Sequence, residues 1–236
     1  MRNKYRKDVF VVAVEGIIGA GKTTLTKRLR DELHLHEVPE PVEDNPFLEN
    51  FYKDQKKWAF PMQMWMVQRR AESIADAVES HKNIITDRSL VGDMVFAKMH
   101  KDNGNIDAEM WPVYRDTWSM MNRLLAPVPD VIVFLDVNPS TAFKRMHNRG
   151  RQSEVDGVTL SYLQDLCATY RSTIEKLGSN FNGTESFRHT RIECLKGDTD
   201  HAVIVDIVKR HMANKTAAFS NAAAANEYNN DNEVKL

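Results

Sequence analysis

The 236-residue sequence predicts an α/β fold, a parallel sheet with helices on both faces. Three observations carry this. Short apolar runs, Val9 to Val14, Ile84 to Thr86 and Val131 to Leu135, alternate with longer stretches of helical periodicity. The first run is apolar at every position, as a strand covered on both faces requires. A glycine-rich turn then joins that run directly to a helix, the kind of connection found at the ligand-binding edge of such sheets.

Residues 9–14 are the first strand. Gly16-Ile17-Ile18-Gly19-Ala20-Gly21-Lys22-Thr23 follows, and Leu25, Leu29 and Leu33 recur at helical spacing up to about Leu35. Strand, glycine loop and helix together are the setting in which G-x-x-x-x-G-K-[ST] binds phosphate. Gly16, Gly19, Ala20, Gly21 and Thr24 belong to the cradle of backbone N–H groups. The helix adds the positive end of its dipole. Lys22 is placed to reach the terminal phosphates of ATP or another nucleoside triphosphate, and Thr23 to hold Mg²⁺ through its hydroxyl.

Two prolines force Val38 to Glu43 into an extended path. Asn45-Pro46-Phe47-Leu48 reads as a turn opening a short helix. Phe60 to about His81 is a long helix with Met62, Met66, Ile74 and Val78 apolar, and Gln63 and Arg70 seven apart on one face. A short strand at 83–86 ends at Asp87-Arg88-Ser89, and a helix runs on to Lys101, broken by Asp102 to Asn105. Residues 107–125 are helical. Pro127-Val128-Pro129 introduces the strand at 131–135, and Pro139-Ser140 opens a helix carrying Arg145 and Arg149. Arg151 to Gly157 reads as irregular, Leu160 to Leu177 as helix, and Gly178 to Thr190 as a loop. Ile192 to Leu195 is a weak last strand and His201 to Met212 a last helix. The predicted domain is 1–212, with 213–236 an Ala/Asn-rich, disordered tail.

Composition narrows the function. A formal charge of -1 gives no basic field for nucleic acid. No run is long enough for a membrane span. Two cysteines, Cys167 and Cys194, make no disulfide framework. The basic stretch Met1 to Lys7 leads into no signal segment, so a cytoplasmic protein is expected. The eight histidines show no metal spacing and read as surface residues.

Phosphoryl transfer to a hydroxyl needs a phosphate cradle, Mg²⁺, a base for the acceptor and positive charge on the moving group. Glu40, in its proline-fixed loop, is the candidate base, with a solvated loop carboxylate as the plain alternative. Asp87, ending an apolar strand, is the candidate Mg²⁺ carboxylate, with a helix N-cap as its alternative. Arg88 beside it suits an anion. Asp136 ends another strand but ranks below Asp87, because Asn138-Pro139-Ser140 reads as a helix entry. Arg145, Arg149 and Arg151 precede a polar stretch, as in a lid that closes arginines onto phosphates.

Taken together, Glu40-Pro41-Val42, Phe51-Tyr52-Lys53-Asp54, Lys57-Trp58-Ala59-Phe60-Pro61-Met62-Gln63, Asp87-Arg88-Ser89 and Arg149-Gly150-Arg151 with Glu154 resemble the deoxynucleoside kinase family over about residues 8–212. The resemblance implies a P-loop kinase fold with a five-stranded sheet and an arginine-bearing lid, and a homodimer. It implies that Glu40 activates the sugar 5′-hydroxyl, Tyr52 and Glu154 bind the 3′-hydroxyl, and Gln63 reads the base edge, with Met66 among the substrate-binding residues. Arg88 then steadies the phosphoryl group, Asp87 stands near Mg²⁺, and Arg145, Arg149 and Arg151 are lid arginines. Met62 departs from the Phe of several members, and the stretch from Glu154 to Val158 is one residue longer than in animal members.

Arg70 and Asp93 resemble a pair found in members that accept deoxyadenosine, deoxyguanosine or deoxycytidine. A carboxylate at the base edge accepts from an exocyclic amine but opposes a thymine carbonyl. The expectation is a purine-leaning kinase, deoxyadenosine first. A salt bridge that merely joins two helices is the alternative for this pair. The rival functions are a nucleoside monophosphate kinase of the thymidylate kinase kind and a nucleotide-binding switch or ATPase. The first must grip an acceptor phosphate. The second needs a water-positioning residue, and nothing in the sequence marks one.

Overall fold

The computed structural model describes residues 9–42, 45–80, 83–178, 187 and 190–233. Among these, five strands form one parallel sheet in the order β2-β3-β1-β4-β5: β1 Val11–Glu15, β2 His36–Val38, β3 Ile84–Asp87, β4 Val131–Asp136 and β5 Arg191–Lys196. The three central strands are apolar on both faces because helices cover both. Val12, Ala13, Ile85, Ile132 and Val133 are fully buried. The order places β1 between β3 and β4, with Val14 beside Asp87 and Glu15 beside Phe134. The carboxyl ends of β1, β3 and β4 thus share one edge, where ligands of open α/β sheets sit.

The helices differ from the sequence reading in instructive places. Helix α1, Lys22–Leu33, starts at the phosphate loop, and α2 is Leu48–Lys53. Helix α3 spans Gln55–Glu79, one turn earlier than expected. Asp54 caps it by accepting from Lys57 N at 3.1 Å, so Pro61 lies inside the helix and not at its start. Helix α4, Leu90–Asp102, is capped by Ser89, whose Oγ accepts from Val91 N. Asp87 is therefore not the cap. Helix α5 is Met110–Leu124; its Tyr114 and Trp118 donate to the Asp93 and Leu90 carbonyls and lock it onto α4. Helix α6, Pro139–Arg149, opens where expected, and Asn138 caps it by accepting from Ser140 N. The stretch read as irregular is a short helix, α7, Gln152–Gly157, and α8 is Leu160–Gly178.

Helix α9 runs from His201 to Glu233, so residues 213–233 of the expected structureless tail continue the helix. Alanine has the highest helix propensity, and the stretch holds no proline or glycine. Lys215, beyond the expected end, donates to Val9 O at 2.7 Å and to the Asp130 carboxylate. His100, read as a surface residue, is fully buried on α4, with its ring edge-on to Phe51 at 5.1 Å. Burial lowers its pKa to about 4, so it stays neutral. Met1 to Lys7, most of the 178–190 loop, His81 and His189 lie outside the described residues.

Candidate active site

The phosphate loop needs glycine for two separate reasons. Gly21, the N-cap of α1, has φ 97°, a left-handed conformation that disfavours side chains. Gly19 has φ 78°, and a Cβ there would stand 2.2 Å from the Ala142 carbonyl of α6. The loop closes with Ala20 N donating to Ile17 O, and Lys22 Nζ donates to the same carbonyl at 3.0 Å. The lysine is thereby folded over the cradle. Gly16 completes the turn next to β4, and Thr24 is exposed on α1.

Glu40 leaves the end of β2 and reaches two guanidiniums. Its Oε1 lies 3.2 Å from Arg70 Nη2 and 2.8 Å from Arg88 Nε. The second contact is close but misaligned, so buried Arg88 Nε has no hydrogen-bond partner among the described residues. Burial alone would raise the Glu40 carboxyl, but Arg88, Arg70 and Lys22 outweigh it and hold the pKa at about 2. Arg70, on α3, also donates from Nε to Asp93 at 2.8 Å and from Nη1 to the Asp87 carbonyl. Burial pushes the Asp93 carboxyl up to about 6 against the pull of Arg70, which leaves it ionised at neutral pH.

Asp87 Oδ2 accepts from Thr23 Oγ1 at 2.6 Å. Its Oδ1 is buried with no partner among the described residues. An orphaned carboxylate oxygen beside the loop threonine fits a hard cation or a water bound to one, so Thr23 and Asp87 are the pair able to hold Mg²⁺. Asp136, the lower-ranked candidate, is instead paired with Arg171 of α8 at 2.9 Å.

One cleft joins these groups. Lys22, Thr23, Glu40, Tyr52, Gln63, Met66, Arg70, Arg88, Asp93, Arg149, Arg151 and Glu154 all line it. Gln63 is buried on α3 and turns to the cleft. Of the three arginines expected to form a lid, Arg145 makes a long contact, 3.5 Å, to Ala20 O of the loop, while Arg149 and Arg151 both engage Glu154. Tyr52 sits under α7, where a Cβ on Gly157 would stand 2.4 Å from its ring. Burial and the nearby Glu154 raise the Tyr52 phenol well above its usual value, which keeps it a hydrogen-bond donor.

A sequence profile of the deoxynucleoside kinases matches residues 12–219. The chain belongs to the deoxynucleoside kinase family. Its members are ATP-dependent phosphotransferases. A deoxyguanosine kinase of Dictyostelium discoideum is 36% identical over 183 residues, 75% of this chain and 63% of that protein. The deoxyadenosine/deoxycytidine kinase of Bacillus subtilis is 32% identical over 174 residues, 73% of this chain and 78% of its own. Among solved structures, the deoxyadenosine kinase from M. mycoides with dCMP and a flexible dCDP bound superposes with a TM-score of 0.73 at 27% identity. That match covers 87% of this chain and all of the other.

Several residues that build this deoxynucleoside kinase site escaped the sequence reading. Glu15 is fully buried at the end of β1 and accepts from Ser89 N, Ser89 Oγ, Gly92 N and Tyr170 Oη. Tyr170 of α8 also accepts from Arg88 Nη1 at 2.6 Å. Phe96 lies under the Arg88 guanidinium, 4.8 Å away. Glu15 left a trace in the sequence, as the single acid ending an otherwise apolar strand. Tyr170 and Phe96 left none, since aromatic residues on helices read as core.

Burial, with Arg88 nearby, lowers the Lys22 ammonium to about 8. A polyanion that requires the protonated form raises that pKa, so affinity is complete below pH 8 and falls as the pH rises above it. Calorimetric titration with ATP between about pH 7 and 9.5 should show Kd rising by up to about tenfold per pH unit above 8. A flat profile would show that Lys22 does not carry the phosphate contact.

Proposed function

We propose that this chain transfers the γ-phosphate of a nucleoside triphosphate, ATP in the first instance, to the 5′-hydroxyl of a deoxyribonucleoside. Purines are favoured, with deoxyadenosine first and then deoxyguanosine or deoxycytidine. The observation that carries the transfer is Glu40, a carboxylate held by Arg70 and Arg88 in the same cleft as Lys22 and the phosphate loop. A hydroxyl presented there meets a fixed acceptor on one side and the cationic cradle on the other. The weak basicity of Glu40 suits a loose transition state, in which little negative charge builds on the attacking oxygen and its proton leaves late. Glu40 orients the hydroxyl and receives the proton. Arg88 and Lys22 neutralise the moving phosphoryl group. Thr23 and Asp87 would hold Mg²⁺, which shields the charge of the triphosphate when bound.

Tyr52 and Glu154 are proposed to bind the 3′-hydroxyl, and the lid arginines Arg145, Arg149 and Arg151 the donor phosphates. Two carboxylates, Glu40 and Glu154, on the acceptor side disfavour an acceptor that already carries phosphate, which argues against a nucleoside monophosphate kinase. The purine preference rests on Gln63 and Asp93. Asp93 Oδ2 is occupied by Arg70, but Oδ1 has no donor among the described residues, and the residue lines the cleft. It suits an exocyclic amine and opposes the thymine carbonyl, an unmatched polar contact worth about 1–3 kcal/mol. The similar proteins carry names that span deoxyguanosine, deoxyadenosine and deoxycytidine.

A second copy of this chain is the proposed protein partner. Met110, Val113, Met120 and Leu124 fall on one face of α5 and are exposed. A stripe of this kind on a helix whose other face packs on α3 and α4 is unusual for a monomer surface. The expected location is the cytoplasm.

Labelled ATP offered to nucleosides, nucleoside monophosphates and water should label only nucleosides. In that assay Glu40→Gln should leave nucleoside binding intact and lower kcat by about 10²–10⁴-fold; a change confined to KM would make Glu40 a binding residue. For specificity, Asp93→Ala alone leaves Arg70 buried and unpaired, which is costly, so purine activity is lost with little gained. Arg70→Met with Asp93→Ala removes both, and the thymidine-to-deoxyadenosine ratio of kcat/KM should rise about tenfold. An unchanged ratio would make the pair structural. In sedimentation, the wild type should run as a dimer and Val113→Glu with Met120→Glu as a monomer; a wild-type monomer removes the proposed interface.

A further inference from the structure

Arg88 is held from both ends by one carboxylate that touches neither its side chain nor the cleft. Its backbone has φ 72°, the left-handed region that disfavours a residue with a side chain. Arg88 N donates to Val14 O, and the next residue, Ser89, donates from both N and Oγ to Glu15 Oε1 at 2.7 Å. Gly92 N, in the first turn of α4, adds a third bond to the same oxygen. The turn that carries Arg88 is thereby tied to the end of β1.

The other oxygen holds the side chain indirectly. Arg88 Nη1 donates to Gly16 O at 2.7 Å and to Tyr170 Oη at 2.6 Å, and Tyr170 Oη lies 2.9 Å from Glu15 Oε2. The proton order in this chain is fixed. A guanidinium only donates and an ionised carboxylate only accepts, so the tyrosine spends its single proton on Glu15 and accepts from Arg88. The ring of Tyr170 is itself fixed, stacked on Phe134 at 5.6 Å. Gly92 makes room for this junction, since a Cβ there would stand 2.7 Å from Glu15 Oε2 and 3.0 Å from Tyr170 Oη.

We infer that Glu15, through Ser89 and Tyr170, is a positioning residue that fixes the Arg88 guanidinium between the phosphate loop and Glu40 for phosphoryl transfer. The inference rests on the reading of Arg88 as the group that meets the moving phosphoryl. Nη1 makes two bonds, and Nε, beside Glu40, has no hydrogen-bond partner among the described residues. Loss of the tyrosine oxygen frees the guanidinium to turn, while the fold keeps its stacked ring.

Tyr170→Phe is the decisive variant, because it removes one oxygen and retains the packing. Its kcat should fall about tenfold to a hundredfold, the size expected for a catalytic group displaced by about 1 Å, with KM for ATP and nucleoside changed less than about threefold. Glu15→Gln should act in the same direction. In an Arg88→Lys background, Tyr170→Phe should cost nothing further, because the group it positions is gone. Additive losses, or an unchanged kcat in Tyr170→Phe, would overturn the inference. A second measurement needs no turnover. In the full chain with ¹⁵N-labelled arginine, anchoring at Nη1 should give Arg88, assigned by Arg88→Lys, two separate Nη signals that average in Tyr170→Phe. The same pattern in both proteins would overturn the inference. Absence of nucleoside phosphorylation by the wild type would sink the functional reading alone, and the labelling experiment would still decide the role of Glu15.

Discussion

Two guanidiniums are buried side by side at the carboxyl edge of the sheet, and the geometry around them follows from what it takes to keep them there. The side chains of Arg70 and Arg88 are 2% and 4% exposed. Charges removed from water at this depth are tolerated only when opposite charges and hydrogen-bond acceptors surround them. Arg70 meets Asp93, Glu40 and the Asp87 carbonyl; Arg88 meets Gly16 O, Tyr170 and Glu40. These partners come from α4, α8, the end of β3 and the loops after β1 and β2, and Arg70 itself stands on α3. Satisfying two cations therefore fixes six segments relative to one another. Glu40 is the shared member, and its low pKa is the electrostatic signature of that position.

The parts of this arrangement that sequence reveals are those in which one residue type has one usual reason to be present. The phosphate loop was legible because glycines, lysine and threonine at fixed spacing have no common structural substitute, and strand and helix flank them. The sheet was legible because buried parallel strands leave uninterrupted apolar runs, as at Val11 to Val14 and Val131 to Leu135. Asp87, Arg88 and Glu40 were legible as candidates because polar residues stand where such runs stop. Their partnership was not. That Glu40 joins Arg70 to Arg88 follows from how the loop after β2 meets α3 and the end of β3, and nothing local to those segments encodes it; the salt bridge of Arg70 with Asp93 was one of the two readings offered for that pair.

The differences fall where local pattern is weak or tertiary context overrides it. The apolar pattern suggested a helix start at Phe60, yet the Asp54 cap moved the start to Gln55. The 152–157 stretch lacks an apolar stripe, but its backbone coils over Tyr52, with Glu154 turned inward. His100 looked solvated because histidine is polar, while aromatic neighbours on α2 and α8, Phe51 and Tyr162, enclose it. The stretch after residue 213 lacks an apolar pattern, and propensity together with the Lys215 bonds to Val9 O and Asp130 was enough for helix.

The arginines of this site divide by burial into two mechanical classes. Arg149 and Arg151 are 39% and 48% exposed where they meet Glu154. Ion pairs in contact with water are worth about 0–1 kcal/mol, since solvent screens them and side-chain entropy opposes them. A triphosphate entering the cleft offers several charges at once, so it can draw these two arginines off the carboxylate at little cost. Arg70 and Arg88 have no such freedom, because removing a partner from a buried charge costs about 3–5 kcal/mol. The site thus combines a cationic floor that cannot rearrange with a cationic rim that can. In the proposed reaction both would be used: the floor would supply a preorganised field at the point of transfer, and the rim would admit substrates and release products.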